Sequence, residues 1–161
     1  MYRIKNIGKR KGIIAGLLLA AAGFSCSKTY ESSIPYRQVN LELDLTYQDK
    51  ALKAVQAYKI YTPQNIYQAG ELTGFGGVLV YHGLDNNGGD AYFAFDAACP
   101  YEADKNTIVT VDEDAVYAVC PKCQSRYELL NGFGNPVSGP ATYTLKAYQV
   151  HVNGNKIYVQ N

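Results

Sequence analysis

The sequence predicts an all-β domain, an antiparallel sandwich or barrel of short strands, set behind a polarised N-terminal leader. Three observations predict it. Val39, Leu41, Leu43 and Leu45 alternate with Asn40, Glu42 and Asp44, the period of a half-buried strand. Short apolar runs then recur between turn signals rich in Gly, Asn and Asp. Fifteen tyrosines suit half-exposed strand faces, where the ring packs and the hydroxyl stays wet.

Residues 48–58 are ambiguous. Ala51, Leu52 and Val55 fit a short amphipathic helix, or one turn leading to a strand through Tyr61. Gly76-Gly77 opens a strongly apolar strand over 78–81. Asp85 to Asp90, with Asn86, Asn87, Gly88 and Gly89 between, reads as a hairpin loop whose partner strand is 91–95. Further short strands are expected at 108–110, 115–119 and 127–130. Asn153-Gly154-Asn155 is a tight turn between strands at 145–152 and 156–159. Frequent turns between short strands indicate a sandwich or barrel. The chain contains no internal repeat and no low-complexity tract.

The leader is a different kind of sequence. Arg3, Lys5, Lys9, Arg10 and Lys11 give a positive start without acidic residues, and Ile13, Ile14, Leu17, Leu18 and Leu19 lie in an uncharged run. A charged stretch before an apolar one is the pattern of a signal peptide. The run is too short to span a bilayer, which takes about 20 apolar residues. It ends in Gly23-Phe24-Ser25-Cys26-Ser27, which resembles a lipobox of Bacteroidota-type lipoproteins, although Gly23 stands where Leu is usual. That resemblance implies cleavage before Cys26, lipidation of its thiol and membrane attachment. Ser27 after the Cys implies sorting to the outer membrane. The expected organisation is therefore a signal peptide at 1–25, a lipidated tether at 26–38 rich in polar residues and Pro35, and a β domain at 39–161.

Charge follows this division. The full chain of 161 residues has 15 Lys+Arg against 14 Asp+Glu. Five of the basic residues lie in the leader, which leaves 10 against 14, a net of −4 for residues 26–161. A mildly acidic domain without a basic run is a poor nucleic-acid binder. No nucleic-acid motif, P-loop, HExxH or Ser–His–acid set is present, so no enzymatic activity is expected. Asp112-Glu113-Asp114 reads as a solvated turn, and Asp85 and Asp90 as loop residues, with calcium binding the alternative at either.

The chemistry is concentrated in residues 96–141. Cys99-Pro100-Tyr101 is followed by Cys120-Pro121-Lys122-Cys123-Gln124-Ser125-Arg126-Tyr127. Gly134-Asn135-Pro136-Val137-Ser138-Gly139-Pro140-Ala141 then precedes Leu145. In order and spacing this text, with the closing hairpin, resembles the Rieske iron–sulfur domain over about 39–161. The resemblance implies a β sandwich or barrel carrying a small, loop-rich, cluster-type subdomain. A Rieske cluster has two Cys on one iron and two His on the other. The resemblance places Cys99 and Cys120 on the Cys positions, and Tyr101 and Cys123 on the His positions. Both imidazoles are thus replaced. The remaining histidines, His82 and His151, fall in predicted strands and read as ordinary strand residues. The leader also lacks the Arg pair with which exported Rieske proteins are usually carried out folded.

From the resemblance, the two Cys that would share an iron lie close together, which implies a Cys99–Cys120 disulfide, its S–S bond about 2.05 Å long. The loop it closes, about 20 residues, would contribute roughly 3 kcal/mol. Three alternatives stay open. Cys120 and Cys123 form a C-x-x-C pair capable of thiol redox chemistry. Cys99, Cys120 and Cys123, with Tyr101, Glu102 or a water, could hold zinc. An atypically ligated [2Fe–2S] centre is the third. The expected function is a membrane-anchored envelope lipoprotein, without cofactor, whose Rieske-like domain has lost both His ligands and serves in binding or structure, possible partners being other envelope proteins. An iron–sulfur electron carrier and a thiol-redox protein are the alternatives.

Overall fold

The computed structural model describes residues 33–161. The leader, the lipobox and Cys26 lie outside the described residues. Eleven antiparallel strands form two sheets. The chain begins with β1 (Val39–Asp44), passes a single 3-10 turn at Lys50–Lys53, and continues through β2 (Tyr58–Tyr61), β3 (Leu72–Thr73), β4 (Val78–Leu84) and β5 (Asp90–Asp96). It then leaves to build a smaller sheet from β6 (Thr110–Val111), β7 (Tyr117–Val119), β8 (Arg126–Glu128) and β9 (Pro136–Ser138). It returns with β10 (Ala147–Asn153) and β11 (Lys156–Gln160). The large sheet has the order β2-β4-β5-β10-β11-β1-β3, and the small one β6-β7-β8-β9. The large sheet curls into a nearly closed barrel, and the described residues form an all-β, Rieske-like fold, as the sequence predicts.

Local sequence explains the central elements. In β1, Val39, Leu41 and Leu43 are buried while Asn40 is exposed, so the period of two is the pleat itself. The unbroken apolar run of β4 has a different cause, since this strand is buried on both faces. Val78 and Val80 enter the barrel core with Leu41, Leu43, Ile157 and Val159. Leu79 and Tyr81 enter a second core with Phe95, Val109, Tyr127, Leu129 and Leu145. The hairpin of β4 and β5 runs in register from Val78↔Asp96 to Leu84↔Asp90. Gly154, with φ +58°, makes the turn between β10 and β11.

Of the two readings of residues 48–58, one turn leading to a strand through Tyr61 holds: Lys50–Lys53 form the 3-10 turn, with Leu52 buried and Val55 exposed, and β2 follows. Two details depart from the sequence reading. Residues 33–38, expected within the tether, pack on the domain. Ile34 is buried, the Ser33 hydroxyl donates to the Pro100 carbonyl, and Lys146 Nζ donates to the carbonyls of Ile34 and Pro35 at 3.3 and 3.1 Å. β3 and β9 are additional strands, each too short to carry a periodic signal.

Candidate metal centre

The small sheet and its loops carry every cysteine among the described residues. Cys99 follows β5, and Cys120 follows β7. The first loop is held by Asp96, which is fully buried. Its Oδ1 accepts from the amides of Gly76 and Ala98 at 3.1 and 2.8 Å. Its Oδ2 accepts from the Phe75 amide at 3.0 Å and the Tyr148 hydroxyl at 2.6 Å. The chain then turns back on itself, with the Cys99 amide donating to the Thr107 carbonyl and the Ala103 amide to the Cys99 carbonyl. Gly76 lets this loop pass closely, since a Cβ there would lie 2.5 Å from Ala98 Cβ.

The second loop is a compact knuckle. The Cys120 amide donates to the Ser125 carbonyl, and the Gln124 amide returns to the Cys120 carbonyl. Backbone amides of Lys122 and Cys123 also donate to the Cys120 sulfur. The third loop closes over both. Its Ala141 amide donates to Ser125 Oγ at 3.1 Å. Gly139 has φ +88°, and a Cβ on it would meet Ser125 Cα at 2.5 Å, so only glycine fits the lid.

These three loops bring Cys99, Cys120 and Cys123 together. Their sulfurs all lie within 4.8 Å of one another, Cys99 and Cys120 buried and Cys123 half-buried. Cys99 Sγ is 3.7 Å from Cys123 Sγ and 3.4 Å from the hydroxyl of buried Tyr127. Cys123 Sγ is 3.2 Å from Ser125 Oγ. Burial pushes the Cys120 thiol up to about 12, against the amides of Cys123 and Lys122 that favour its thiolate. Burial also works against ionisation of Cys123, but hydrogen bonds from Ser125 and the neighbouring thiols outweigh it and lower that thiol. Burial, with the Cys99 contact, raises the Tyr127 phenol well above its ordinary value.

The other expected donors are elsewhere or engaged. Tyr101 is 54% exposed. Glu102 pairs with Lys122 at 2.6 Å, which links the first two loops. His82 is buried on β4, its Nδ1 2.8 Å from the Leu52 carbonyl oxygen and its ring stacked on Tyr92. His151 lies exposed on β10. Asp112 is more than a solvated turn residue: it binds Arg126 at 2.8 Å and accepts from the amides of Val116 and Tyr117. Asp85 Oδ1 accepts from the amides of Asn87 and Gly89 within its hairpin loop. Sequence reasoning assigned no role to Asp96 or Ser125, because the partners that make Asp96 an anchor, at 75, 76 and 148, and the Ala141 amide that meets Ser125 come from distant segments.

The donor chemistry can be set against the cluster implied by the fold. Two imidazoles are needed on the second iron. Neither histidine of the described residues belongs to the sulfur group. The residues present do not fit a Rieske cluster of the usual ligand set. They do form a sulfur site able to coordinate a metal ion, at the three cysteines that the sequence named as the alternative to a chain without cofactor. All three thiols are free in this structure.

No family model matches the chain, and no curated protein matches it. Solved structures do. One is the complex of reduced oxygenase and oxidized ferredoxin in carbazole 1,9a-dioxygenase, 19% identical, with 77% of this chain and 94% of that one covered and a TM-score of 0.48. Another is the ferredoxin of carbazole 1,9a-dioxygenase from Nocardioides aromaticivorans IC177, 19% identical over 77% and 95%, TM-score 0.44. A third is the Sphingomonas yanoikuyae B1 ferredoxin, 15% identical over 79% and 99%, TM-score 0.44. The outer-membrane localisation expected from Cys26 is corrected by these matches, none of which is named as a lipid-anchored outer-membrane protein. Among the described residues, no helix is long and apolar enough to cross a membrane.

Proposed function

We propose that this chain is a small electron-transfer protein of Rieske-like fold, whose atypical iron centre is held by Cys99, Cys120 and Cys123. One observation carries the reading: three thiols from two loops converge within 4.8 Å of one another. Cysteines placed only for packing have no reason to converge, and thiolates are ligands for iron and zinc. Location favours electron transfer over a purely structural ion. Cys123 is half-buried and Tyr101 in the first loop is exposed, so the centre lies close to the surface where a partner can approach. The partner class is a redox enzyme that accepts or supplies single electrons. Anaerobic purification with iron analysis and a visible spectrum tests the reading. Coloured, iron-bearing protein whose colour bleaches reversibly on reduction is the expected result.

A second reading draws on Tyr101 and Cys123, which cannot replace two imidazoles. It makes the chain a binding domain that has lost its redox centre, with Cys99–Cys120 as a disulfide in the oxidised protein. A colourless, iron-free preparation with one disulfide would favour it over the first.

A further inference from the structure

Resting on the metal-centre reading above, we infer that Cys99, Cys120 and Cys123 hold one tetrahedral ion, not the two-iron cluster for which this fold is known. The distances favour one ion. Thiolates about 2.3 Å from a common ion lie about 3.8 Å apart at tetrahedral angles, and never more than about 4.6 Å. Cys99 and Cys123 are 3.7 Å apart, the tetrahedral edge, and all three sulfurs lie within 4.8 Å of one another, a span that a shift of a few tenths of an ångström brings onto one ion. Thiolates on the two ends of a binuclear cluster point away from each other and are farther apart than any two on one ion. In the alignment of loops, Cys123 takes the place of a ligand to the second iron, yet its sulfur lies beside that of Cys99, a ligand to the first.

Loop geometry agrees. Cys120 and Cys123 have the C-x-x-C spacing that directs two sulfurs at a single ion. Amides of Lys122 and Cys123 support the first sulfur, as hydrogen bonds around metal ligands commonly do. Donors for a second iron are lacking among the described residues: Glu102 is paired with Lys122, Tyr101 faces solvent, and both histidines lie outside the sulfur group. Among the described residues the donor at hand for the fourth position of a single ion is an oxygen. The Tyr127 hydroxyl is 3.4 Å from Cys99 Sγ, close to the roughly 3.5 Å edge between an oxygen and a sulfur ligand. The centre is thus a three-sulfur, one-oxygen tetrahedron, with the phenol or a water as its oxygen.

The test is reconstitution of the full, reduced chain under argon, with ferrous iron alone, ferrous iron plus sulfide, or zinc alone. Native mass spectrometry and labile-sulfide analysis count what is bound. One iron per chain and no bound sulfide, even when sulfide is supplied, is the expected result. Cys123→Ser, checked for folding by circular dichroism, should weaken binding at least 100-fold, while His151→Gln leaves it unchanged. Two irons and two sulfides per chain overturn the single-ion inference and leave the metal-centre reading standing. One zinc with iron refused supports the single ion and overturns the electron carrier. No metal under any condition overturns both.

Discussion

Replacing Asp96 by Asn should loosen the first thiol loop at its root. The carboxylate is fully buried and takes four hydrogen bonds, from the amides of Phe75, Gly76 and Ala98 and from the Tyr148 hydroxyl. Asn keeps one acceptor oxygen, which can still serve Gly76 and Ala98. Its NH2 then faces the Phe75 amide, donor against donor. The Tyr148 hydroxyl can rotate and accept, so one amide is stranded and one charged acceptor is lost. A hydrogen bond to a charged group contributes about 1.5–3 kcal/mol, and a buried unsatisfied donor costs about 1–3 kcal/mol. The expected destabilisation is about 3 kcal/mol, read as a shift of urea midpoint at unchanged slope. Tyr148→Phe removes one of the four bonds and should cost about 1.5 kcal/mol. The double variant should cost less than the sum, because the two side chains share a bond. Asn at position 96 within about 0.5 kcal/mol of wild type, the scatter of an ordinary surface change, would refute the anchoring role.

Further predictions concern the lid, the core and the thiols. Gly139→Ala puts a methyl into Ser125 at a positive φ, and should cost at least about 2 kcal/mol in the same urea titration. Leu129→Ala empties a fully buried position of the second core and should cost about 2–5 kcal/mol. In the reduced, metal-free chain, iodoacetamide at pH 8 should label Cys123 before Cys99 and Cys120. Cys123 is half-exposed and its thiol is lowered, whereas Cys120 is buried and pushed up to about 12, so the ratio of their labelling rates is largest at neutral pH and narrows as the pH rises through the Cys123 titration. Peptide mapping that finds Cys120 labelled first would contradict this order.

Sequence made some of this architecture readable and concealed the rest for physical reasons. The alternation in β1 and the turn at Gly154 are local signals, set by pleat and φ, and they reappear in the structure. The run at Val78 is readable as a strand, but its uniform apolarity becomes intelligible only when both faces find a core. β9 was hidden because Pro136 and Gly139 read as loop, and β3 because two residues carry no period. The loops with Cys99, Cys120 and Cys123 were legible as text. Their convergence was expected only through the resemblance and not from local text, since the separation of Cys99 from Cys123 depends on how three loops close on one another. The anchoring role of Asp96 was hidden: its amide partners at 75 and 76 and its phenol partner at 148 are far away in sequence.

The small sheet is inserted between β5 and β10, and those two strands are neighbours in the barrel. Its stem is pinned by the Asp96 amide, which donates to the Lys146 carbonyl at 2.8 Å. Entry and exit of this cassette therefore meet at a single doorway. Such a graft point lets the loops within residues 97–145 be rewritten as one piece, so long as the side chains that meet Leu79, Tyr81 and Phe95 keep the shared core filled. A lineage could thereby exchange one set of metal donors for another without refounding the scaffold that carries them.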